Sequence, residues 1–223
     1  MTTAGFARAR NDEQRAERHE AILTTAATML AHSRVNDLSL NALARQVGLA
    51  KSNVLRYFES REAVLLELYE RETTAWLDSL EAALASAERV DAEVVARAIA
   101  EQAAARPVFC DLTASAAGVL EHNVSADVAA NYKRDAIASA YRLAAIVGSR
   151  LGGFTEAEGI VFVGGVNLAI GGVWASSQPS RGMAAAYRAH PDLRDFRLDF
   201  RFAVSELIAT LLVGLEHREP RSP

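Results

Sequence analysis

Residues 39–58 read SLNALARQVGLAKSNVLRYF, and this segment restricts the fold more than any other part of the chain. Up to Gly48, its apolar residues recur with the spacing of one helix face; they are Leu40, Leu43, Ala44 and Val47. Ser39 precedes them and is suited to accept the first free N–H groups of a helix as its N-cap. Gly48 is suited to end this helix, because glycine readily takes the left-handed conformation found at helix ends. Leu49 follows it and is placed to fill the corner between the two helices. The segment therefore predicts two short helices joined by a tight turn.

The second of these helices is predicted over residues 51–58, and its polar side chains suit a DNA surface. Val54 and Phe58 share one side, and the other side carries hydrogen-bond donors, namely Lys51, Ser52, Asn53, Arg56 and Tyr57. Arginine pairs with guanine and asparagine with adenine, whereas lysine and hydroxyl groups contact phosphates. We therefore predict a helix-turn-helix whose second helix enters a DNA major groove. The alternative is an ordinary helical hairpin with a solvated polar face.

The segment from Arg15 to Tyr69 resembles the DNA-binding domain of TetR-family (tetracycline-repressor-like) regulators. The matching pieces are Ala26-Ala27 in the first helix, Ser39 at the start of the second, the corner Val47-Gly48-Leu49-Ala50, Leu55-Arg56-Tyr57-Phe58 at the end of the recognition helix, and Ser60-Arg61-Glu62 at the start of a long fourth helix. The resemblance covers the first third of the chain closely. Beyond it, only length and helical character agree.

This resemblance implies a set of DNA contacts and an assembly. Lys51, Ser52, Asn53 and Arg56 are the candidates for base or near-base contact, and Tyr57, Arg61 and Ser39 complete the DNA-binding set. Ala50 stands where a capping serine is usual, and Leu55 replaces the first aromatic of the family pattern. Phosphate anchoring is therefore expected to depend on Tyr57, Arg61 and the first helix. A homodimer bound to a near-palindromic, double-stranded DNA operator is also implied.

Composition favours an all-α protein with two domains. Half of the residues are apolar, alanine occurs in every segment, and β-branched alternation is scarce. We predict a three-helix DNA-binding head over residues 1–62, with a flexible arm over 1–11, and a helical ligand-binding and dimerisation domain over 63–223. Residues 1–62 hold nine Lys and Arg against seven Asp and Glu, and the remainder holds fifteen against twenty-one. This asymmetry has the sign that a DNA-binding head needs.

The helices of the second domain follow from caps and breaks in the sequence. After a first helix from about Asp12, a fourth helix is predicted from Ser60 to about Ala87. Further helices are expected over 91–105, from 107 to about 120, and from Ser125 to Leu151. The last of these is predicted to turn Tyr132, Ile137 and Tyr141 broadly inward. A capping box at Thr155–Glu158 starts the next helix, a loop is expected over 180–191, and Asp192 is the candidate cap of the final helix.

Two helices are apolar nearly all round, which predicts burial on more than one side. The final helix carries the stripe Phe200, Val204, Leu207, Leu211 and Leu215, with further apolar residues on other faces. Residues 159–180 carry no charge and include Gly164-Gly165 and Gly171-Gly172, which would let another backbone approach closely. We predict that these helices pair across a two-fold axis in a four-helix dimer interface. A monomeric bundle is the alternative.

The uncharged helix is not expected to span a membrane. Its strongly apolar part covers only residues 160–175, and a membrane helix needs about twenty predominantly apolar residues. No cluster of Lys or Arg flanks it, and the N-terminus has no basic-then-apolar signal. We therefore expect a cytoplasmic protein without a membrane partner.

No arrangement of residues suggests catalysis. The five histidines lack metal-ligand spacing, no phosphate loop or nucleophile elbow occurs, and the single Cys110 is expected to be a core thiol. We expect no enzyme, cofactor or metal. An unknown small-molecule effector is expected in the second domain, with candidate contacts from Phe109, Tyr132, Tyr141, Asn167 and Trp174. The favoured function is a repressor that such a ligand releases from DNA. The alternative is a helical ligand-binding or interaction dimer whose head has lost DNA binding.

Overall fold

Helices form all the regular structure in the part of the chain that the computed structural model describes, which is residues 3–116, 118 and 122–217, with residues 3–11 as backbone only. The all-α prediction is thus confirmed. The helices are α1 (Thr3–Leu30), α2 (Leu40–Val47), α3 (Lys51–Val54), α4 (Arg61–Ala85), α5 (Ala92–Ala104), α6 (Pro107–Ser115), α7 (Ala126–Leu151), α8 (Glu156–Ser177), α9 (Arg181–Ala189), α10 (Pro191–Arg194) and α11 (Phe200–Glu216). A single 3-10 turn, Val35–Asp37, joins α1 to α2.

The chain divides into two compact units, and the boundaries between them fall inside α4, directly after α6 and inside α7. The first unit, called here the head unit, comprises residues up to Glu70 together with the segment from Ala116 to Tyr132. The second, the effector unit, comprises residues 71–115 and the chain from Lys133 onward. The head unit is therefore built from two stretches that are far apart in sequence.

The core of the head unit forms where α1, α2, α3 and the start of α4 bury their apolar faces. Fully or nearly fully buried residues there include Ile22, Leu23, Ala26, Leu43, Val54, Phe58 and Leu65. The later stretch adds two contacts to this unit. The backbone N–H of Ser125 donates to the Glu59 carboxylate, and the rings of Tyr69 and Tyr132 lie 6.3 Å apart, centroid to centroid.

In the effector unit, α8 packs against α6 and α11, and α11 packs against α5. Glycines permit the close approach of these helices. A Cβ at Gly165 would collide with Leu211 Cδ2, and one at Gly171 would lie 3.4 Å from the Thr113 carbonyl oxygen. Gly164 and Gly172, in contrast, are exposed and have nothing within 4 Å of that position. One glycine of each pair therefore serves packing within the protomer, and the other faces outward.

Helix α8 has the length and composition of a membrane span, with a mean hydropathy of 1.6 over its most apolar window. Its inner side is nevertheless buried among its neighbours; Phe162, Val166 and Ile170 are completely inaccessible. The predicted capping box is confirmed, because Thr155 Oγ1 accepts from the Glu158 backbone N–H and the Glu158 carboxylate accepts from the Thr155 N–H. The backbone N–H of Thr155 and its hydroxyl group, which also donates to Glu158 Oε2 at 2.8 Å, lower the pKa of the Glu158 carboxyl.

Cys110 is buried in α6, and its thiol donates to the Ala103 carbonyl oxygen at 3.2 Å. Burial raises the pKa of the thiol to about 12, and the neighbouring Asp111 carboxylate adds to the effect. A thiolate is the reactive form of cysteine, so this environment suppresses reactivity. The prediction of a core thiol is confirmed.

Several helix boundaries differ from the sequence predictions. Residues 180–191 are not a loop: Ser180 caps α9, and α10 follows with Pro191 at its first position. The cap of the final helix is Asp199, not Asp192. Neither α9 nor α10 buries a residue completely. Helix α1 begins at Thr3, nine residues before its predicted start. Glu121, where the chain is predicted to leave α6, lies outside the described residues.

Candidate nucleic-acid interface

The helix-turn-helix has the predicted start and corner. Ser39 Oγ accepts from the Ala42 N–H at 3.1 Å and caps α2. Gly48 ends α2 with φ of 77°, a conformation that side chains with a Cβ rarely adopt. The Leu49 N–H donates back to the Ala44 carbonyl at 2.9 Å, and the Leu49 side chain is half-buried at the corner. The local signals in the sequence therefore specify the turn correctly.

The recognition helix presents its donors outward. Val54 is completely buried and Phe58 is 4% exposed. The donors on the other side are exposed, except for the half-buried Tyr57; they are Lys51, Ser52, Asn53, Arg56 and Tyr57. Leu55, which replaces the family aromatic, is 41% exposed.

Regular α-helix ends at Val54, four residues before the predicted end, and continues as tight turns. The Arg56 N–H donates to the Asn53 carbonyl at 3.2 Å, and the Tyr57 N–H to the Val54 carbonyl at 2.9 Å. No side chain caps the N-terminus at Ala50, so the short helix lacks the cap that would stabilise a longer one. The polar face is preserved through these turns.

Arg61 lies at the start of α4, where much of its hydrogen-bonding capacity is used inside the head unit. Its Nη1 donates to the Leu38 carbonyl at 3.1 Å, and its Nε donates to Glu62 Oε1 at 3.0 Å. Ser60 caps α4 by accepting from the Ala63 N–H. The Arg61 side chain is 22% exposed, so it joins α4 to the residues before α2 while keeping part of its surface accessible.

A basic cleft of about 460 Å³ lies beside the end of the recognition helix. Its walls come from the N-terminal part of α1 and from the turns after α3; they are Asp12, Gln14, Arg15, Arg18, Arg56 and Tyr57. One turn further along α1, the His19 ring stacks on Phe58 with centroids 4.5 Å apart, and His19 Nε2 lies 3.1 Å from Glu67 Oε2. The sequence gives a signal for this cleft in the i, i+3 spacing of Arg15 and Arg18, but the predicted DNA contacts name neither residue.

The five candidate effector residues differ in burial and in their partners. Phe109 is 1% exposed and stacks on Trp76 at 4.9 Å, while Trp174 Nε1 donates to Asp111 Oδ1 at 3.3 Å. Tyr132 belongs to the head unit. Asn167, expected to be buried, is exposed, and its amide donates to the Val163 carbonyl of its own helix.

The predicted inward orientation is wrong for two residues of α7, because Ile137 is 55% and Tyr141 63% exposed. Both line an open apolar groove of about 750 Å³ between α7 and the first half of α8. The remaining lining includes Ala144, Ala145, Phe154, Ile160 and Val163, with Ser149, Thr155 and Glu156 as polar residues. Of the five predicted effector residues, Tyr141 alone lines this groove.

Helices α8 and α11 each carry large apolar residues on their outward sides. Leu168 is 78% and Phe202 68% exposed, and Val161, Leu207 and Val213 are exposed to a lesser degree. The outward glycines Gly164 and Gly172 lie among the exposed residues of α8. We call this set the outward apolar face.

Comparison with known proteins agrees with these features. Residues 22–68 match the model of the bacterial regulatory proteins of the tetR family, and residues 70–219 match the tetracyclin repressor-like C-terminal domain. Among the curated proteins, none matches the chain. The fatty acid degradation regulator FadR from Bacillus halodurans aligns with a TM-score of 0.56 at 16% identity, over 90% of this chain and 97% of its own.

A second solved structure is the transcriptional regulator FadR from Bacillus subtilis in complex with stearoyl-CoA. It aligns with a TM-score of 0.51 at 14% identity, over 87% of this chain and 98% of its own. At these identities, the two structures show a common fold. The two family models together span the helix-turn-helix and nearly all of the remaining helices. The chain therefore belongs to the TetR family of bacterial regulatory proteins.

Proposed function

We propose that the protein is a homodimeric repressor that binds a near-palindromic operator through its recognition helices. The observation that carries this proposal is the exposed set Lys51, Ser52, Asn53 and Arg56, opposite the buried Val54 and Phe58. Asparagine and arginine are the side chains that read adenine and guanine most specifically. Two such helices, about 34–36 Å apart, would enter successive major grooves on one side of the DNA. A repressor of this kind would work in the cytoplasm, where it has access to genomic DNA.

The outward apolar face supports dimerisation. A soluble monomer rarely leaves several large apolar residues exposed on neighbouring helices, because their burial stabilises an assembly. Gly164 and Gly172 leave space on this face for close approach of a partner helix. The dimer proposed is a four-helix arrangement of α8 and α11 from both protomers.

The effector site is proposed in the groove between α7 and α8. Its volume lies within the usual range for ligand pockets, roughly 300–1,000 Å³, and its walls are largely apolar. An apolar molecule with a polar end is the ligand class that this lining suits. Such a ligand releases DNA only if it binds more tightly to the conformation that does not fit the operator.

The experiment that tests the function is selection of fragmented DNA from the source genome on the purified protein at moderate salt. We expect the wild-type protein to enrich a short palindromic site. Arg56→Ala removes a donor from an exposed position and should lose this enrichment while the dimer persists. If a folded wild-type dimer enriches no sequence, the alternative holds, in which the head has lost DNA binding; Ala50 and Leu55 are the departures that favour it.

Filling the groove should weaken effector binding. We choose stearoyl-CoA as the probe because an acyl chain suits the apolar walls and because the Bacillus subtilis structure contains this molecule. Ala145→Trp places an indole in the groove and should raise the Kd for stearoyl-CoA at least about tenfold, a loss of roughly 1.4 kcal/mol. Ala138→Trp, on an exposed part of the same helix outside the lining, is the matched control. Equal Kd values for both variants, measured by calorimetry, would place the ligand elsewhere.

A further inference from the structure

We propose that the basic cleft between α1 and the end of the recognition helix binds one phosphate group of the DNA backbone, held by Arg15, Arg18, Arg56 and Tyr57. This inference rests on the proposed DNA-binding function. The first helix is expected to help anchor the DNA phosphates, and this inference assigns that role to Arg15 and Arg18.

The placement of the two arginines follows from α1 and its packing. Arg15 and Arg18 are three residues apart, so their side chains share one face of the helix. His19 adjoins this face, and its stacking on Phe58 holds α1 against the end of the recognition helix. The cleft is therefore positioned by the same buried aromatic ring that orients the recognition helix.

The charge of the cleft favours an anion. Three guanidinium groups and one carboxylate, that of Asp12, line about 460 Å³, which gives a formal charge of +2. Guanidinium groups bind phosphate oxygens in a bidentate manner, and a tyrosine hydroxyl adds a further donor. A DNA phosphate beside the major groove supplies an anion of this kind where the recognition helix would enter.

Arg56 and Arg61 differ in their positions and in their hydrogen-bond partners. Arg56 borders both the exposed donor face and the cleft, so it is placed to contact a base edge or to neutralise a phosphate. Arg61 already donates to the Leu38 carbonyl and to Glu62. The larger part of phosphate neutralisation near the recognition helix is therefore assigned to Arg15 and Arg18.

The test is the salt dependence of DNA binding by the full chain carrying Arg15→Gln and Arg18→Gln together. Both side chains are exposed, and glutamine forms helices about as well as arginine, so the variant should fold. The slope of log K against log salt is negative, and each lost phosphate contact should make it less steep by about 0.9. A dimer loses one contact in each protomer, so the expected change is about 1.8. Operator and random duplexes should lose affinity by the same factor, since a phosphate carries no sequence information.

Matched variants separate the possible outcomes. Arg97→Gln removes an exposed arginine from α5 in the effector unit and should leave the slope unchanged. Arg15→Lys and Arg18→Lys together keep the charge and should retain the slope. If the wild-type protein binds DNA and the double glutamine variant keeps its slope, or loses affinity for the operator alone, this inference is wrong. If the wild-type protein binds no duplex, the proposed function fails, and this inference with it.

Discussion

Leu168→Glu is expected to convert the protein to a monomer and to abolish operator binding. Leu168 is the most exposed large residue of α8, so the protomer tolerates the change. In the proposed dimer, the same position is buried, and an unpaired carboxylate there costs several kcal/mol. Because two heads must bind together, operator affinity should fall at least about a hundredfold, or roughly 2.8 kcal/mol. Sedimentation velocity and fluorescence anisotropy with an operator duplex measure both effects.

Two further variants define the interface. Phe202→Glu, at an exposed position of α11, should have the same effect, because the proposed dimer buries α8 and α11 in one interface. Ala185→Glu adds the same charge to the exposed surface of α9 and should leave a dimer that binds DNA. A Leu168→Glu protein that remains dimeric, with an unchanged unfolding midpoint, would show that the interface lies elsewhere.

Asn53→Ala should relax the sequence preference of the protein at one position in each half-site. Asn53 is exposed on the recognition helix, and an asparagine–adenine pair contributes roughly 1–3 kcal/mol of discrimination. Two half-sites double this loss to roughly 2–6 kcal/mol if their contributions add. Competition binding between the operator and single-base variants of it measures the change.

The control for Asn53→Ala is binding to random duplex. A base contact contributes only to the sequence-specific part of the binding free energy. The affinity for random DNA and the salt dependence of binding should therefore stay close to the wild-type values. An equal loss of affinity for operator and random DNA would identify Asn53 as a phosphate contact.

Local signals in the sequence predict the helix-turn-helix well because they act within a few residues. The Ser39 cap, the left-handed Gly48 and the Thr155–Glu158 capping box all satisfy backbone groups next to themselves. Apolar spacing likewise identifies Val54 and Phe58 as the buried side of the recognition helix. These features depend little on the rest of the fold.

Features that depend on neighbouring helices are predicted poorly. Tyr141 has the spacing of an inward residue, but it is exposed among the residues that the structure describes and lines an open groove instead. Asn167 lies in an uncharged helix, yet its amide is satisfied by its own backbone and remains exposed. The basic cleft requires α1 and the residues after α3 to meet, which the spacing of Arg15 and Arg18 alone does not specify.

The two-part construction of the head unit limits how this protein can be engineered. A chimaeric regulator made by fusing residues 1–70 to a foreign sensor would omit the segment from Ala116 to Tyr132. Glu59 would lose the backbone donor of Ser125, and Tyr69 would lose the neighbouring ring of Tyr132. Residues 1–70 alone therefore do not contain the complete head unit. A functional graft would carry the start of α7 as well, or supply a substitute for these contacts.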